Sequence, residues 1–233
     1  MLIGLAAALM LAAASPSPGA PLREVVYSAS FSRHANRVQE VFGGRRPDPY
    51  GSAIDVQTDQ GTITIDILAV ADDGIAVRIT ELFGNAGRPR TTTGVVLPDG
   101  SLNIDTEHVN DATVELLPFF GASFIDATQS LDPGAQWIRQ LSGGGVEIRT
   151  TYTVSGVDGP IVTLDERRTI TYTTARGNDV TVSGDVKYKP HVLAPISGTF
   201  VERTADSGPD YNEDITVNLQ FRRISDTNDP AGP

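Results

Sequence analysis

The sequence predicts a mainly β protein, built on one curved antiparallel sheet with one or two short helices. Hydrophobic and polar residues alternate with a period of two in several segments, and clusters of Gly, Pro, Asn and Asp separate those segments. Only one segment has the spacing of a helix. Strands with one apolar and one polar face are typical of an antiparallel sheet, because a parallel sheet is covered on both faces.

The composition narrows the possible functions. The 233 residues carry 18 Lys and Arg against 29 Asp and Glu, a net charge of −11, without the dense cationic stripe that nucleic acids need. With 39% hydrophobic and 20% charged residues, the chain is typical of a globular protein. Because cysteine is absent, disulfides, thiolate metal sites, a cysteine nucleophile and a lipoprotein anchor are excluded.

The first residues have the pattern of a secretory signal peptide. The run from Leu2 to Ala14 is uncharged and apolar, and a stretch rich in Pro and small residues follows it to Pro21. A membrane-spanning helix needs about 20 residues, whereas this run has the length of a signal-peptide core. A basic segment before it is missing, since Arg23 is the first basic residue. We predict a signal peptide over residues 1–20 and an exported protein, periplasmic or extracellular, without a membrane span in the mature chain.

The first half of the mature chain contains three strand patterns, of which the first alternates weakly. The first runs from Val25 to Arg33, and the segment from Gly43 to Gly51 is predicted to be a loop because its two prolines and three glycines disfavour a ladder. Residues 62–67 and 75–80 alternate strictly, and Asp72-Asp73-Gly74 lies between them. This arrangement predicts a β-hairpin with an Asp-Gly turn.

The second half repeats this style. Strands are predicted over residues 146–154, 161–164, 168–174, 180–188, 198–203 and 215–224. The sequence Asp165-Glu166-Arg167-Arg168 is interpreted as a charged turn between two of them. We therefore predict a single β-rich domain over residues 25–224 and a flexible tail over residues 225–233.

The only helix candidate runs from Asp111 to Phe120, and Pro118 prevents a longer helix. The stretch that continues from it to Ile125 is the most hydrophobic of the mature chain. One interpretation is a helix and loop that close the core. The other is the lining or lid of an apolar pocket on the concave side of the sheet. On that interpretation the candidate ligand-binding residues are Leu116, Leu117, Phe119, Phe120, Phe124 and Ile125.

No motif indicates catalysis. The sequence has no GxSxG elbow, and its three histidines are scattered. His108 has carboxylate neighbours in Asp105-Thr106-Glu107-His108, a pattern typical of a solvated strand end. The pair Asp165 and Glu166 would serve as glycosidase carboxylates only with another acid across a cleft. We predict no catalytic residue and no cofactor.

Two acidic segments raise the question of calcium. Residues 206–214 offer several oxygen side chains, and Asp226, Asn228 and Asp229 form a second cluster. Neither has the spacing of an EF-hand loop, so we predict solvated acidic loops and no metal site, with calcium binding by residues 206–214 left open.

The order of elements resembles a known family. A short helical segment with a Leu-Leu-Pro step precedes Leu131-Asp132-Pro133-Gly134-Ala135-Gln136-Trp137, and Tyr152-Thr153-Val154 with further strands follows. This order is similar to that of bacterial envelope proteins with a LolA/LppX-like half-barrel, including secreted proteins of unknown function. The resemblance spans about residues 25–224. It implies a strongly curved sheet around short helices and an apolar concave face that carries lipids or acyl chains, although this chain has no lipobox cysteine and one helical segment.

Three functions remain open. The first is an exported non-catalytic β protein that binds a lipid or another apolar ligand on the concave face of the sheet. The second is a structural or protein-interaction module of the cell envelope. The third is a hydrolase that uses scattered Asp and Glu residues.

Overall fold

The computed structural model describes residues 20–41, 44–47, 55–84, 87–105, 108–121, 129–143, 145–172, 180–190, 192, 194–207 and 211–229. The predicted signal peptide, except Ala20, lies outside these residues. In the described part of the chain, no helix is both long enough and apolar enough to cross a membrane.

The described residues form one curved antiparallel sheet, as the sequence predicts. The strands are β1 (Arg23–Val41), β2 (Gly44–Pro47), β3 (Asp55–Ala71), β4 (Gly74–Phe83), β5 (Arg90–Val96), β6 (Leu102–Asn103), β7 (Gln136–Gly143), β8 (Val146–Asp158), β9 (Ile161–Tyr172), β10 (Val180–Lys189), β11 (Ala194–Ser207) and β12 (Tyr211–Asp226). Their order in the sheet is β6-β5-β4-β3-β1-β12-β11-β10-β9-β8-β7, and β2 pairs with β1 beside this path. The first and last strands pair with each other, so the two halves of the chain meet at β1 and β12.

Several sequence predictions are confirmed in detail. The hairpin of β3 and β4 turns at Asp72 and Asp73, and Gly74 begins β4 with a positive φ of 147°. The predicted helix is α1 (Asp111–Leu116), which continues as a 3₁₀ turn (Leu117–Phe120). The side chain of Asn110 caps α1, because its oxygen accepts a hydrogen bond from the backbone N–H of Ala112.

Two predicted boundaries are wrong. The sequence Asp165-Glu166-Arg167-Arg168 is not a turn but the middle of β9, where Glu166 points inward and Asp165 outward. Residues 44–47 lie inside the predicted loop of residues 43–51, yet they pair with the end of β1. This pairing adds a short hairpin outside the main path of the sheet, where a Gly- and Pro-containing strand needs only one partner.

The hollow of the sheet is filled by α1 and the 3₁₀ turn. Leu116, Leu117, Phe119 and Phe120 are between 0 and 1% exposed, and they belong to the same core as the inward side chains of the strands. The ring of Phe120 lies edge-on to Tyr27 with a centroid distance of 6.3 Å, and Phe119 lies 6.1 Å from Phe200. The helical segment is therefore an internal plug, as expected for a curved sheet whose own side chains cannot fill it.

Glycines in the strands make room for aromatic rings on the inner wall. A Cβ atom on Gly198 would lie 2.5 Å from Cζ and 2.9 Å from Cε1 of Phe221, and one on Gly184 would collide with Phe200. Phe200 and Phe221 are themselves fully buried and in contact, with ring centroids 6.1 Å apart. The rings thus lie flat over glycine backbone, which lets the sheet bend tightly around the plug.

A buried ion-pair network lies where β1 begins and β12 ends. Arg23 donates to both oxygens of Asp226 at 2.9 and 2.6 Å. Arg223 donates to Asp226 at 3.0 Å and to Asp229 at 2.9 Å, and Lys189 reaches Asp229 at 3.1 Å. The flexible tail predicted from residue 225 therefore does not begin there. Regular structure continues through Asp226, Asp229 is held by two cations, and residues 230–233 lie outside the described residues.

The glycine and ring packing predicts a specific loss of stability. Gly198→Ala places a methyl group against Phe221, which has no free space to move, and we expect the free energy of unfolding to fall by about 1–3 kcal/mol. Urea denaturation measures this free energy of unfolding. Gly156→Ala is the matched control, because the nearest atom to its Cβ would be Oγ1 of Thr163 at 4.0 Å. Equal stability of the two variants would contradict this account of the curvature.

The ion-pair network predicts a second loss of stability. Burial alone would raise the pKa of Asp226, but hydrogen bonds from Arg23 and from the backbone of Asn228, with the charges of Arg23 and Arg223, lower it. Asp226→Asn leaves two buried guanidinium groups without this counterion, so we expect a loss of about 3–5 kcal/mol in urea unfolding. Asp165→Asn, on the exposed face of β9, should change stability by less than about 0.5 kcal/mol. A loss no larger than that control would show that the network is not stabilising.

Candidate functional site

The two ends of the sheet face each other across a seam. β6 and β7 are the terminal strands of the path and do not pair with each other in the described structure. The guanidinium of Arg139 on β7 nevertheless contacts the backbone carbonyl of Asp99, in the turn between β5 and β6. The 3₁₀ turn lies directly beneath this turn, because a Cβ on Gly100 would be 2.8 Å from the carbonyl oxygen of Pro118.

A cavity of about 300 Å³ lies at this seam. Side chains of both sheet ends and of the plug form its wall, since Leu102, Val114 and Leu141 all line it. Leu141 is 43% exposed and marks the solvent side, whereas Tyr152 is buried. The full lining is Asp99, Gly100, Ser101, Leu102, Val114, Pro118, Arg139, Leu141, Ile148, Thr150, Tyr152 and Arg168. The cavity is therefore mainly apolar, with a few convergent polar groups, as small-molecule sites usually are.

Four of the six ligand-binding residues predicted from the sequence lie in the core and not around this cavity. Leu116, Leu117, Phe119 and Phe120 are in the core, and the described lining of the cavity includes none of them. Phe124 and Ile125 lie outside the described residues. The helical segment contributes to the cavity through Val114 and Pro118, on the other side of the plug. Ligand contact by the six predicted residues stays a prediction.

The inner wall beside the cavity carries a buried charge cluster. Arg168 on β9 forms an ion pair with Glu115 of α1 and lies 3.3 Å from the carboxylate of Glu166, measured from its Nε. Glu115 and Glu166 are 7% and 4% exposed. The ion pair of Arg168 with Glu115 joins the plug to the wall. Separating these two residues would leave a buried charge without this partner.

This environment changes the pKa of Glu166. Burial raises it, the charge of Arg168 opposes the rise, and the neighbouring Glu115 adds to it, so that the pKa lies at about 7 instead of 4.5. Burial would lower the pKa of Arg168, but Glu115 and Glu166 outweigh burial and raise it. Arg168 is therefore charged at every relevant pH, whereas Glu166 titrates near neutrality.

A second acidic group of the wall holds the start of α1. Glu81 on β4 accepts hydrogen bonds from the backbone N–H of Asn110 at 3.0 Å and from the hydroxyl of Thr113. The side chains of Glu81 and Thr113 are buried. The plug is thus attached to β4 at its first turn and to β9 through Glu115, on opposite sides of the hollow.

The pair Glu115 and Glu166 meets one condition for carboxylate catalysis, since both acids lie on the same guanidinium. The second condition is contact with a substrate, and neither residue is part of the described lining of the cavity. Arg168, with which both carboxylates pair, does line it. The two carboxylates fix the position of Arg168 at the wall of the cavity.

Other sequence candidates are separated from this cluster. Nδ1 of His108 lies 2.8 Å from Asp105, and both side chains are exposed. The described residues contain no group of three or more His, Asp or Glu side chains placed to hold a metal ion. A larger depression of about 520 Å³ lies over β12, β1 and β3, but mostly Ser, Thr, Asn and Gln line it. Phe31 and Leu219 supply the apolar part of its wall.

Comparisons with known proteins add little. No protein-family model and no curated protein matches the chain. It is similar to the solved structure of Rv2717c from M. tuberculosis, with 11% identity, a TM-score of 0.30, and coverage of 84% of this chain and 91% of that one. It is also similar to Ail, the attachment invasion locus protein of Yersinia pestis, with 8% identity, a TM-score of 0.20, and coverage of 86% and 99%. Neither likeness is strong enough to carry an argument.

The charge cluster predicts a pH dependence of stability. Because the pKa of Glu166 is raised in the folded protein, this residue binds its proton more tightly when folded, and its contribution to stability falls as the pH rises from about 4.5 to 7. Glu166→Gln removes this titration. Between pH 5 and 8, we expect the unfolding free energy of the variant, relative to the parent protein, to rise by up to about 3 kcal/mol. Glu147→Gln, at an exposed position of β8, should show no such trend.

Urea denaturation at several pH values measures this difference, and titrations common to all variants cancel in it. A constant difference between Glu166→Gln and the parent protein across the range would show that Glu166 does not titrate there.

Proposed function

We propose that this is an exported, non-catalytic β protein that binds a small apolar or amphipathic ligand in the seam cavity. The observation that supports the proposal most is the mainly apolar cavity left where the plug meets the open seam. Export rests on the signal-peptide pattern of residues 1–20. The resemblance of the sequence to half-barrel envelope proteins is consistent with the same proposal.

The cavity sets the size of the ligand. A volume of about 300 Å³ is at the lower end of the range for small-molecule sites. The plug occupies the rest of the hollow, because its four large apolar side chains are buried in the core. The proposal is therefore narrower than the lipid carrier that the sequence suggested: the ligand is a short molecule, or one short part of a longer molecule.

A second candidate function is a protein-interaction module, favoured by the terminal strand β7. Its outer edge has no strand partner among the described residues, and Ile138 on it is 53% exposed. Such an edge can accept an extended segment of another protein. Ile138→Lys would weaken that pairing and leave the cavity unchanged, so loss of a co-purifying protein in this variant would favour the second function.

Filling the cavity provides the test of the proposed function. Val114→Trp places a large ring into the cavity from the plug, and we expect saturable binding of octan-1-ol, measured by calorimetry, to be lost. Val157→Trp puts the same ring at an exposed position near the end of β8, away from the lining of the cavity, and should bind as the parent protein does. Thermal unfolding checks that both variants fold. Native mass spectrometry of protein purified without detergent should also show a bound small molecule.

Two results would contradict the proposal. One is an absence of saturable binding in the parent protein together with an empty native mass spectrum. The other is binding that survives Val114→Trp in a folded variant, because the ligand would then lie elsewhere.

A further inference from the structure

We infer that the ligand of the seam cavity is a small amphiphile with one anionic oxygen headgroup, bound by Arg139 and Arg168. This inference rests on the proposed function, since it names the ligand class of the same cavity. The hydrocarbon part would lie on the apolar wall formed by Leu102, Val114 and Ile148.

The strand register brings the two arginines to the same place. Arg139 on β7 pairs with Thr150 on β8, and Thr150 pairs with Arg168 on β9. Directly paired residues of neighbouring antiparallel strands lie on the same face of the sheet. All three side chains therefore stand in one row on the inner face, and all three line the cavity. Two guanidinium groups and a hydroxyl are the donors that an oxyanion needs.

The acidic groups nearby are placed behind or beside this row. Glu115 and Glu166 lie on Arg168, and neither is part of the described lining. Asp99 is the carboxylate of the lining, and its oxygen accepts the backbone N–H of Ser101 at 2.8 Å in the exposed turn. The surface of the cavity thus presents two guanidinium groups and one carboxylate. Glu115 and Glu166 offset the charge of Arg168, so the preference for an anionic headgroup comes from the hydrogen bonds that the guanidinium groups donate and not from net charge.

The apolar part of the wall excludes a simple inorganic anion as the natural ligand. Leu102, Val114, Leu141 and Ile148 would remain in contact with water if only a small oxyanion were bound. Covering them with a hydrocarbon chain contributes favourable transfer free energy of about 25 cal/mol for each Å² buried. An amphiphile satisfies both parts of the wall, and the small volume limits it to a short chain.

A matched series of eight-carbon probes tests the inference. Octanoate, octan-1-ol and octylammonium differ in headgroup charge, and each is titrated into the full-length mature protein by calorimetry, below its aggregation concentration. We expect octanoate to bind about 10- to 100-fold more tightly than octan-1-ol, the ratio that charge-assisted hydrogen bonds provide. Octylammonium should bind most weakly. Trp137, the only tryptophan, is stacked on Tyr152 of the lining at 5.5 Å and gives a fluorescence readout of the same event.

The variants assign the headgroup contact. Arg139→Gln should reduce octanoate affinity about 10-fold and change octan-1-ol affinity by less than about twofold, whereas Arg139→Lys should retain part of the preference. Arg149→Gln is the matched control, because Arg149 is exposed on the outer face of β8. Thermal unfolding of each variant separates a binding effect from a loss of fold.

The outcomes are distinguishable. If octan-1-ol binds and octanoate binds no better, the inference is wrong and the proposed function remains. If octylammonium binds best, the carboxylates govern the site and the inference is again wrong. If none of the three probes binds, the inference is wrong, and the proposed function fails with it when the native mass spectrum is also empty.

Discussion

The fold depends on the insertion of a short helical segment into a sheet that is too strongly curved to fill itself. In a strongly curved sheet with eleven strands along its main path the inward side chains leave a hollow, and an empty apolar hollow is costly. Leu116, Leu117, Phe119 and Phe120 fill most of it. Their position also explains the glycines, because Phe200 and Phe221 can lie flat against the wall only where Gly184 and Gly198 carry no side chain.

The plug is held by charges as well as by packing. Hydrophobic contacts are not directional, so they do not by themselves fix how a six-residue helix is rotated in the hollow. Glu81 binds the first turn of α1 from β4, and Arg168 binds Glu115 from β9. Buried charges of this kind add little net stability, but they exclude arrangements that would leave them unpaired. We interpret the cluster as the device that sets the orientation of the plug, and thereby the side of it, Val114 and Pro118, that faces the seam.

The strands and the helix could be predicted because their signals are local. The alternation of residues 62–67 and 75–80 and the turn between them need no distant information, and neither does the cap of α1 by Asn110. The centre of β9 was missed because Glu166 and Arg168 occupy inward positions normally taken by apolar residues. A signal was present: Val162, Leu164, Glu166, Arg168 and Ile170 continue a period of two without interruption.

The candidate site could not be predicted for a different reason. It exists only where the two ends of the sheet meet, and β6, with two residues, is too short to give a sequence pattern. The partner of Arg168 in α1 is 53 positions away in the sequence. The sequence analysis singled out the segment that forms the plug. Its most hydrophobic residues lie in the core, while Val114 and Pro118 line the cavity.

The division of the plug into core residues and cavity-lining residues limits the ligands that fit the proposed site. A half-barrel with an unfilled concave face could hold a long acyl chain, whereas here the equivalent space contains the chain's own Phe119 and Phe120. Displacing them would expose four large apolar side chains and break the Glu115–Arg168 pair, a loss that a small ligand cannot offset. On the proposed function, binding therefore takes place at the seam with the plug in place. There a ligand meets two arginines on one side and an apolar wall on the other. The same contacts that stabilise the fold thus restrict the proposed ligand to a molecule, or a part of one, that fits the seam cavity.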